Sequence, residues 1–186
     1  MNLIATELDG VLILEPRVFP DTRGFFFESY HARRYAVLGV PERFVQDNHS
    51  RSAPGTVRGL HYQLLQPQGK LVRVIRGEAY DVAVDIRRGS PSFGRWIAIV
   101  LSAENRRQLY IPPGFAHGFC VTEGGETTEV EYKCTAYYRP DDQRGIRWDD
   151  PTLAIPWPAR APIVSEQDQA FSLLTLDRDD LPLYTA

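Results

Sequence analysis

The chain has 186 residues, a formal net charge of -3, 14 glycines, 14 prolines and two cysteines. That length allows one domain with a sizeable core, and the slightly acidic balance excludes the basic footprint of a general nucleic-acid binder, although a local arginine cluster would still suit a phosphorylated small molecule. No stretch reaches the length of a membrane span, the N-terminus lacks the regions of a signal peptide, and Cys120 and Cys134 form no C-x-x-C pair, so the expectation is a soluble, cytoplasmic protein with two free thiols.

Glycine and proline punctuate short apolar runs, the spacing of an all-β sandwich or barrel. Val11 to Glu15 predicts a strand, and Phe25 to Ser29 follows a turn at 21–24. His31 to Gly39 predicts a short surface helix with a glycine stop. Phe44 to Ser50 has strand position but carries Gln46, Asp47, Asn48 and His49 in a row. Asp and Asn are poor strand residues, so this is an edge strand or loop, or a polar strand lining a pocket. Arg58 to Lys70 predicts a strand, a turn through 66–69 and a second strand. It sets His61 between the cations Arg58 and Lys70, as a base beside anion-stabilising groups or as a core histidine between two solvated cations.

Ala79 to Ile86 alternates, with Tyr80, Val82, Val84 and Ile86 on one face and Asp81 and Asp85 on the other. Trp96 to Leu101 is a further strand, and Arg107 to Ile111 leads into P-P-G-F-A-H-G-F. Thr127 to Cys134 alternates again: Glu129, Glu131 and Lys133 face solvent, which turns Tyr132 inward with Thr128, Val130 and Cys134. The preceding E-G-G-E at 123–126 reads as a hairpin turn. After Tyr138 comes a charged loop at 139–150, a proline-rich stretch at 151–162 and a predicted short helix over Ser165 to Leu174. Residues 151–186 read as a C-terminal appendage closing over a barrel, so residues 1–186 are expected to form a single domain.

His117 closes P-P-G-F-A-H, and this P-x-G-x-x-H pattern resembles the second motif of the cupin superfamily, a double-sheet jelly roll. Metal-binding cupins carry an H-x-H pair in the first motif, where this chain has His61-Tyr62-Gln63. The second histidine is missing, and strand parity gives no support for His49, His61 and His117 converging, so no metal is expected.

More of the chain then resembles one family. D-T-R-G-F-F-F-E (21–28), Q-D-N-H-S (46–50), R-G-L-H-Y-Q (58–63), G-K-L-V-R-V (69–74), D-V-A-V-D-I-R-R-G-S-P (81–91), I-P-P-G-F-A-H-G-F (111–119), Y-K-C-T-A-Y-Y (132–138) and W-D-D-P (148–151) run in order. Together they are similar to the dTDP-4-dehydrorhamnose 3,5-epimerase family. The resemblance implies an all-β fold, a double-stranded β-helix or jelly-roll (cupin-like) barrel with a few short helices. It implies a dTDP-linked 4-keto-6-deoxy hexose as substrate. Protons flanking the C4 ketone are removed and returned on the opposite face, without cofactor.

By the same resemblance His61 is the base, Asp168 holds its other ring nitrogen, Lys70 stabilises O4 and Tyr132 is the acid. Two bland readings stay open. Ser165-Glu166-Gln167-Asp168 also reads as a helix cap, and a strand tyrosine is commonly a core aromatic with its hydroxyl satisfied. Arg23, Arg58, Gln46 and Asn48 are implied to meet the diphosphate and sugar, Glu28 the thymine imide, Tyr138 the base ring, and Asn48 and His117 the sugar site. Phe19 is implied to reach a second subunit's pocket, making a homodimer with the N-terminal strands in contact.

The chain departs from the family at an apparent two-residue extension around Gly124-Gly125, at Gln143 in place of a common glutamate and at Gln167 in place of a common lysine. The last two bear on the nucleotide end. Rival readings are a 3- or 5-mono-epimerase on a related dTDP-4-keto sugar, a metal-dependent cupin enzyme and a silent sugar-nucleotide binding module. One local conflict stands. In a regular strand Arg58 and His61 point to opposite faces, and a bulge or twist at Gly59 is needed to bring both into one pocket.

Overall fold

A computed structural model describes residues 1–41 and 43–185. Its strands are β1 (Asn2–Ala5), β2 (Leu12–Glu15), β3 (Val18–Asp21), β4 (Gly24–Phe27), β5 (Gln46–Ser52), β6 (Val57–Gln63), β7 (Lys70–Arg76), β8 (Glu78–Asp85), β9 (Trp96–Ser102), β10 (Gln108–Ile111), β11 (Phe115–Val121), β12 (Thr128–Cys134) and β13 (Gln143–Gly145). Helix α1 covers Ala32–Val37 and α2 covers Glu166–Gln169. One sheet has the order β1-β2-β10-β7-β12-β5 and the other β13-β6-β11-β8-β9. Among the described residues, strands β3 and β4 pair only with each other. Face to face, the two antiparallel sheets make a jelly roll.

The period-2 patterns explain the layers. Val72, Val74 and Val130 of the first sheet meet Ala79, Ala83, Phe115, Phe119 and Val121 of the second. Each buried valine or phenylalanine among them contributes roughly 1.5–3 kcal/mol relative to exposure. The opposite face of the second sheet, with Leu60, Tyr62, Val82, Val84 and Ile86, packs under Leu153, Ile155, Leu174 and Leu181 of the tail. The opposite face of the first sheet is covered by Tyr35 of α1 and by Val40, which pack on Leu14, Leu71 and Tyr110. Tyr35 is anchored there by donating from its hydroxyl to the Ser29 carbonyl at 2.9 Å.

The alternation in β8 places its apolar face correctly, and the tail covers that face. Asp81 and Asp85 then turn into the space between the sheets, where both are fully buried. Asp85 is satisfied by Arg87 at 2.8 Å, Ser90 at 2.5 Å and Ser92 at 2.7 Å.

Two expectations change. The turn at 123–126 does not close a hairpin, because β11 and β12 lie in different sheets. From β5 onward only β8 and β9 follow one another in the same sheet, so 66–69 is likewise a crossing between sheets. The predicted helix over 165–174 contracts to α2. Beyond it the chain is pulled onto the sheet, where Arg147 N–H bonds the Ser172 carbonyl at 3.1 Å and Leu174 N–H bonds Asp150 at 2.6 Å. The helix predicted over 31–39 is α1, with His31 as its N-cap.

Candidate active site

Strand β6 carries the site's histidine and solves its own parity conflict. His61 pairs with His117 of β11, but Arg58 pairs with Phe119. Three steps along β6 therefore match two along β11. The extra residue is a bulge at Gly59-Leu60, where Gly59 has φ +118 and the following peptide is cis. Since 117 and 119 share a face, their partners Arg58 and His61 share one too. The bulge also frees the Gly59 N–H, which donates to Asp168 Oδ2 at 3.1 Å.

Asp168 sits at the third position of α2, and both readings of it hold. Its backbone N–H is capped by Ser165 Oγ at 3.1 Å, while its carboxylate turns inward to His61 Nε2 at 2.7 Å. Burial pushes the Asp168 carboxyl up. The bonds from His61, Gly59 and Ser165 outweigh burial and hold it below the usual carboxylate range. Asp168 is thus an anion accepting from Nε2–H, so that in the neutral ring of His61 the free lone pair is on Nδ1.

A cavity of about 330 Å³ opens beside His61, with Gln46, Asn48, Lys70, Tyr132, Tyr138 and Gln143 on its walls. This is within the usual size of a small-molecule site. Lys70 and Tyr132 come from the sheet opposite β6, and the Lys70 Nζ lies 5.9 Å from the Tyr132 ring centroid. Burial pulls the Lys70 ammonium below its ordinary pKa, partly offset by Cys134 and Asp81. Burial pushes the Tyr132 phenol up, against the field of Arg58 and a hydrogen bond with Asn48. Tyr132 is therefore a protonated donor at neutral pH.

The amide chain at the cavity mouth is continuous. Gln46 Nε2 donates to Asn48 Oδ1 at 2.9 Å, Tyr138 N–H donates to Gln46 Oε1 at 2.8 Å, and the Tyr138 hydroxyl donates to Gln143 Oε1 at 2.5 Å. Asn48 and Gln46 of β5 thus stand opposite Tyr132 and Cys134 as pocket lining, while Asp47 faces outward opposite Lys133. His117 is buried behind this group and bonds Asp81 at 3.0 Å through Nε2. Burial lowers its pKa, with Asp81 pulling the other way. Asp81 is the residue that pattern reading missed. The signal was its place opposite an apolar face in a strand whose two faces are both buried.

Other expected residues are not gathered here. Arg58 stands at the rim, donating from Nε to Ser52 Oγ at 2.9 Å. Arg23 pairs with Asp21 on the β3–β4 ribbon, and Glu28 pairs with Arg34 at 3.1 Å. Phe19 is exposed beneath Arg17, and Gln167 is exposed on α2. None of these lines the cavity. His49 turns to the outer face and bonds Glu129 at 3.0 Å, away from His61 and His117. Among the described residues no group of three or more His, Cys, Asp or Glu stands at metal-binding spacing.

A second cavity of about 310 Å³ includes the outward-facing Asp47, His49, Arg73, Glu131 and Lys133. Its charges are already committed, Arg73 to Glu131 at 2.6 Å and Lys133 to Asp47 at 3.0 Å. The chemistry therefore favours the His61 cavity.

The model of the family described as dTDP-4-dehydrorhamnose 3,5-epimerase matches residues 5–175. A protein of that name from Pseudomonas aeruginosa is 58% identical over 171 residues, spanning 91% of this chain and 93% of that one. The Escherichia coli protein of the same name is 51% identical over 180 residues, 95% of each. A crystal structure of a dTDP-6-deoxy-D-glucose-3,5-epimerase from Legionella pneumophila, in complex with dTDP-4-keto-L-rhamnose, superposes with a TM-score of 0.94. It is 52% identical, and the match covers 100% of this chain and 99% of that one.

Proposed function

The chain belongs to the dTDP-4-dehydrorhamnose 3,5-epimerase family, and from that premise we propose how its cavity inverts C3 and C5 of dTDP-4-dehydro-6-deoxy-D-glucose to give dTDP-4-dehydro-L-rhamnose. It is an isomerase. The supporting observation is that His61 and Tyr132 come from opposing sheets onto one cavity, with Lys70 beside Tyr132.

The chemistry needs a base on one face of the sugar, an acid on the other and a cation at the ketone oxygen. His61 Nδ1 takes the proton from the carbon next to C4, because Nε2 is held by Asp168. The electron pair moves onto O4 as an enolate, and Lys70 stabilises that charge where little water competes. Tyr132 then delivers a proton to the opposite face of the same carbon. The sequence is redox-neutral and runs once at each carbon. Asn48 lines the sugar end, with His117, held by Asp81, buried behind it. Gln46, Tyr138 and Gln143 lie toward the nucleotide, with Arg58 at the rim.

Arg23, Glu28 and Phe19 lie off the cavity of their own chain, which supports a homodimer whose β3–β4 ribbon reaches the other subunit's site. Among the described residues no helix is long and apolar enough to cross a membrane, and we place the enzyme in the cytoplasm, where nucleotide sugars are made.

The test is incubation of the dTDP-4-keto-6-deoxy sugar with the protein in heavy water. Deuterium at both C3 and C5 is expected. Label at one carbon selects a mono-epimerase, and exchange no faster than without enzyme overturns the catalytic reading. His61→Ala is expected to abolish exchange while the fold persists; unchanged exchange would remove His61 as the base.

A further inference from the structure

Gly145 of β13 lies directly opposite His61 in the β6–β13 ladder. Its backbone is outside the left-handed region, so nothing in its conformation calls for glycine. What calls for it is space: a Cβ at 145 would collide with three carbons of the Phe171 ring. Phe171 in turn stands edge-on to the His61 imidazole, with ring centroids 5.8 Å apart and planes at 76°. That is the favoured geometry of an aromatic pair.

His61 is otherwise held at one point, the 2.7 Å bond from Nε2 to Asp168. A single hydrogen bond fixes one ring atom and leaves the plane free to swing about it. Phe171, three residues after Asp168, comes from the same segment of the tail and closes the side of the ring that the bond leaves open. It also fills space from which water would reach the Nε2–Asp168 bond. We propose that Phe171 is a positioning residue for His61, seated by the missing side chain of Gly145. The effect on turnover rests on His61 being the base; the effect on the imidazole does not.

Wild type, Phe171→Ala, Phe171→Leu, Gly145→Ala and the double variant Gly145→Ala/Phe171→Ala are compared by deuterium exchange, steady-state kinetics and proton NMR of the His61 Nε2–H. Thermal melts monitor the fold. Phe171→Ala and Gly145→Ala are expected to lower kcat about ten- to a hundred-fold, the cost of misplacing a reacting group by up to about 1 Å. KM should change by less than about two-fold, since neither residue lines the cavity. Phe171→Leu should lose less. Because alanine at 145 acts by displacing the ring, the double variant should be no worse than Phe171→Ala alone. The Nε2–H resonance should broaden through exchange with water in both single alanine variants.

Normal kcat in folded Gly145→Ala, or effects that multiply in the double variant, would overturn the proposal. So would a wild-type-like Nε2–H resonance in Phe171→Ala. If wild type itself shows no exchange, the base assignment fails, and the NMR comparison alone decides whether Phe171 positions His61.

Discussion

Lys70 carries a desolvation cost that only a function explains. Its ammonium is buried, its charge neighbours are Cys134 and Asp81, and burial holds its pKa below the ordinary 10.5. An apolar side chain of similar length would pack at the same place without that cost. Lys70→Met is therefore expected to raise the melting temperature while lowering kcat about 10²–10³-fold, the usual loss when a transition-state charge stabiliser is removed. The pH dependence has a definite sign. The folded-state pKa is depressed, so between it and 10.5 the unfolded chain binds more protons and wild-type stability rises with pH. The advantage of methionine should be full below the folded pKa and vanish as pH approaches 10.5. Melts across that range check this, and an advantage growing with pH would contradict it. The sequence left Lys70 open between a solvated cation and an oxyanion partner, because a single strand does not say which of its faces a second sheet covers. Asp81 was harder still: an acid opposite an apolar face ordinarily meets solvent, and here the facing sheet encloses one face of β8 while the tail covers the other.

Among the elements, β6 shows what patterns reveal and where they stop. The demand that Arg58 and His61 share a face called for a bulge at Gly59, and the register of β6 on β11 contains one. Glycine is required there twice. Its φ is +118, and a Cβ would fall 2.5 Å from Gly118 Cα and 2.8 Å from the His117 carbonyl oxygen. Gly59→Ala is expected to destabilise by about 2 kcal/mol or more, a drop in melting temperature of roughly 4–8 °C for a chain of this size. Activity should fall further than stability, since the Gly59 N–H also steadies Asp168. A variant with unchanged melting and full turnover would mean that the bulge is not constrained. The connections were less legible. E-G-G-E makes a tight turn whether the next strand stays in the sheet or crosses to the other, and the choice between them is made by long-range pairing, which the turn residues do not encode. The shortening of α2 has the same origin, because Phe171 and Leu174 gain more from the sheet than from another helical turn.

At the scale of the whole molecule, the β3–β4 ribbon is the part that one chain does not account for. Among the described residues it pairs with no other strand, and it exposes Phe19, Phe25 and Phe26, the last at 69%. An isolated two-stranded ribbon is at best marginal in water, so an apolar one calls for cover. Arg23 at its tip has 88% of its side chain exposed, although the family resemblance assigns it to the diphosphate. Both facts fit a second copy that receives the ribbon at its own cavity. Mixing tests this directly. Arg23→Ala and His61→Ala proteins should each be poorly active alone. Co-refolded in equal amounts, half of the dimers are mixed. In each mixed dimer the site with intact His61 receives the intact Arg23 of the other subunit, while the second site lacks both. About a quarter of all sites should then be whole, and turnover should recover to that fraction of wild type. If Arg23 served the cavity of its own chain, every site in every dimer would lack one residue or the other, and mixing would restore nothing.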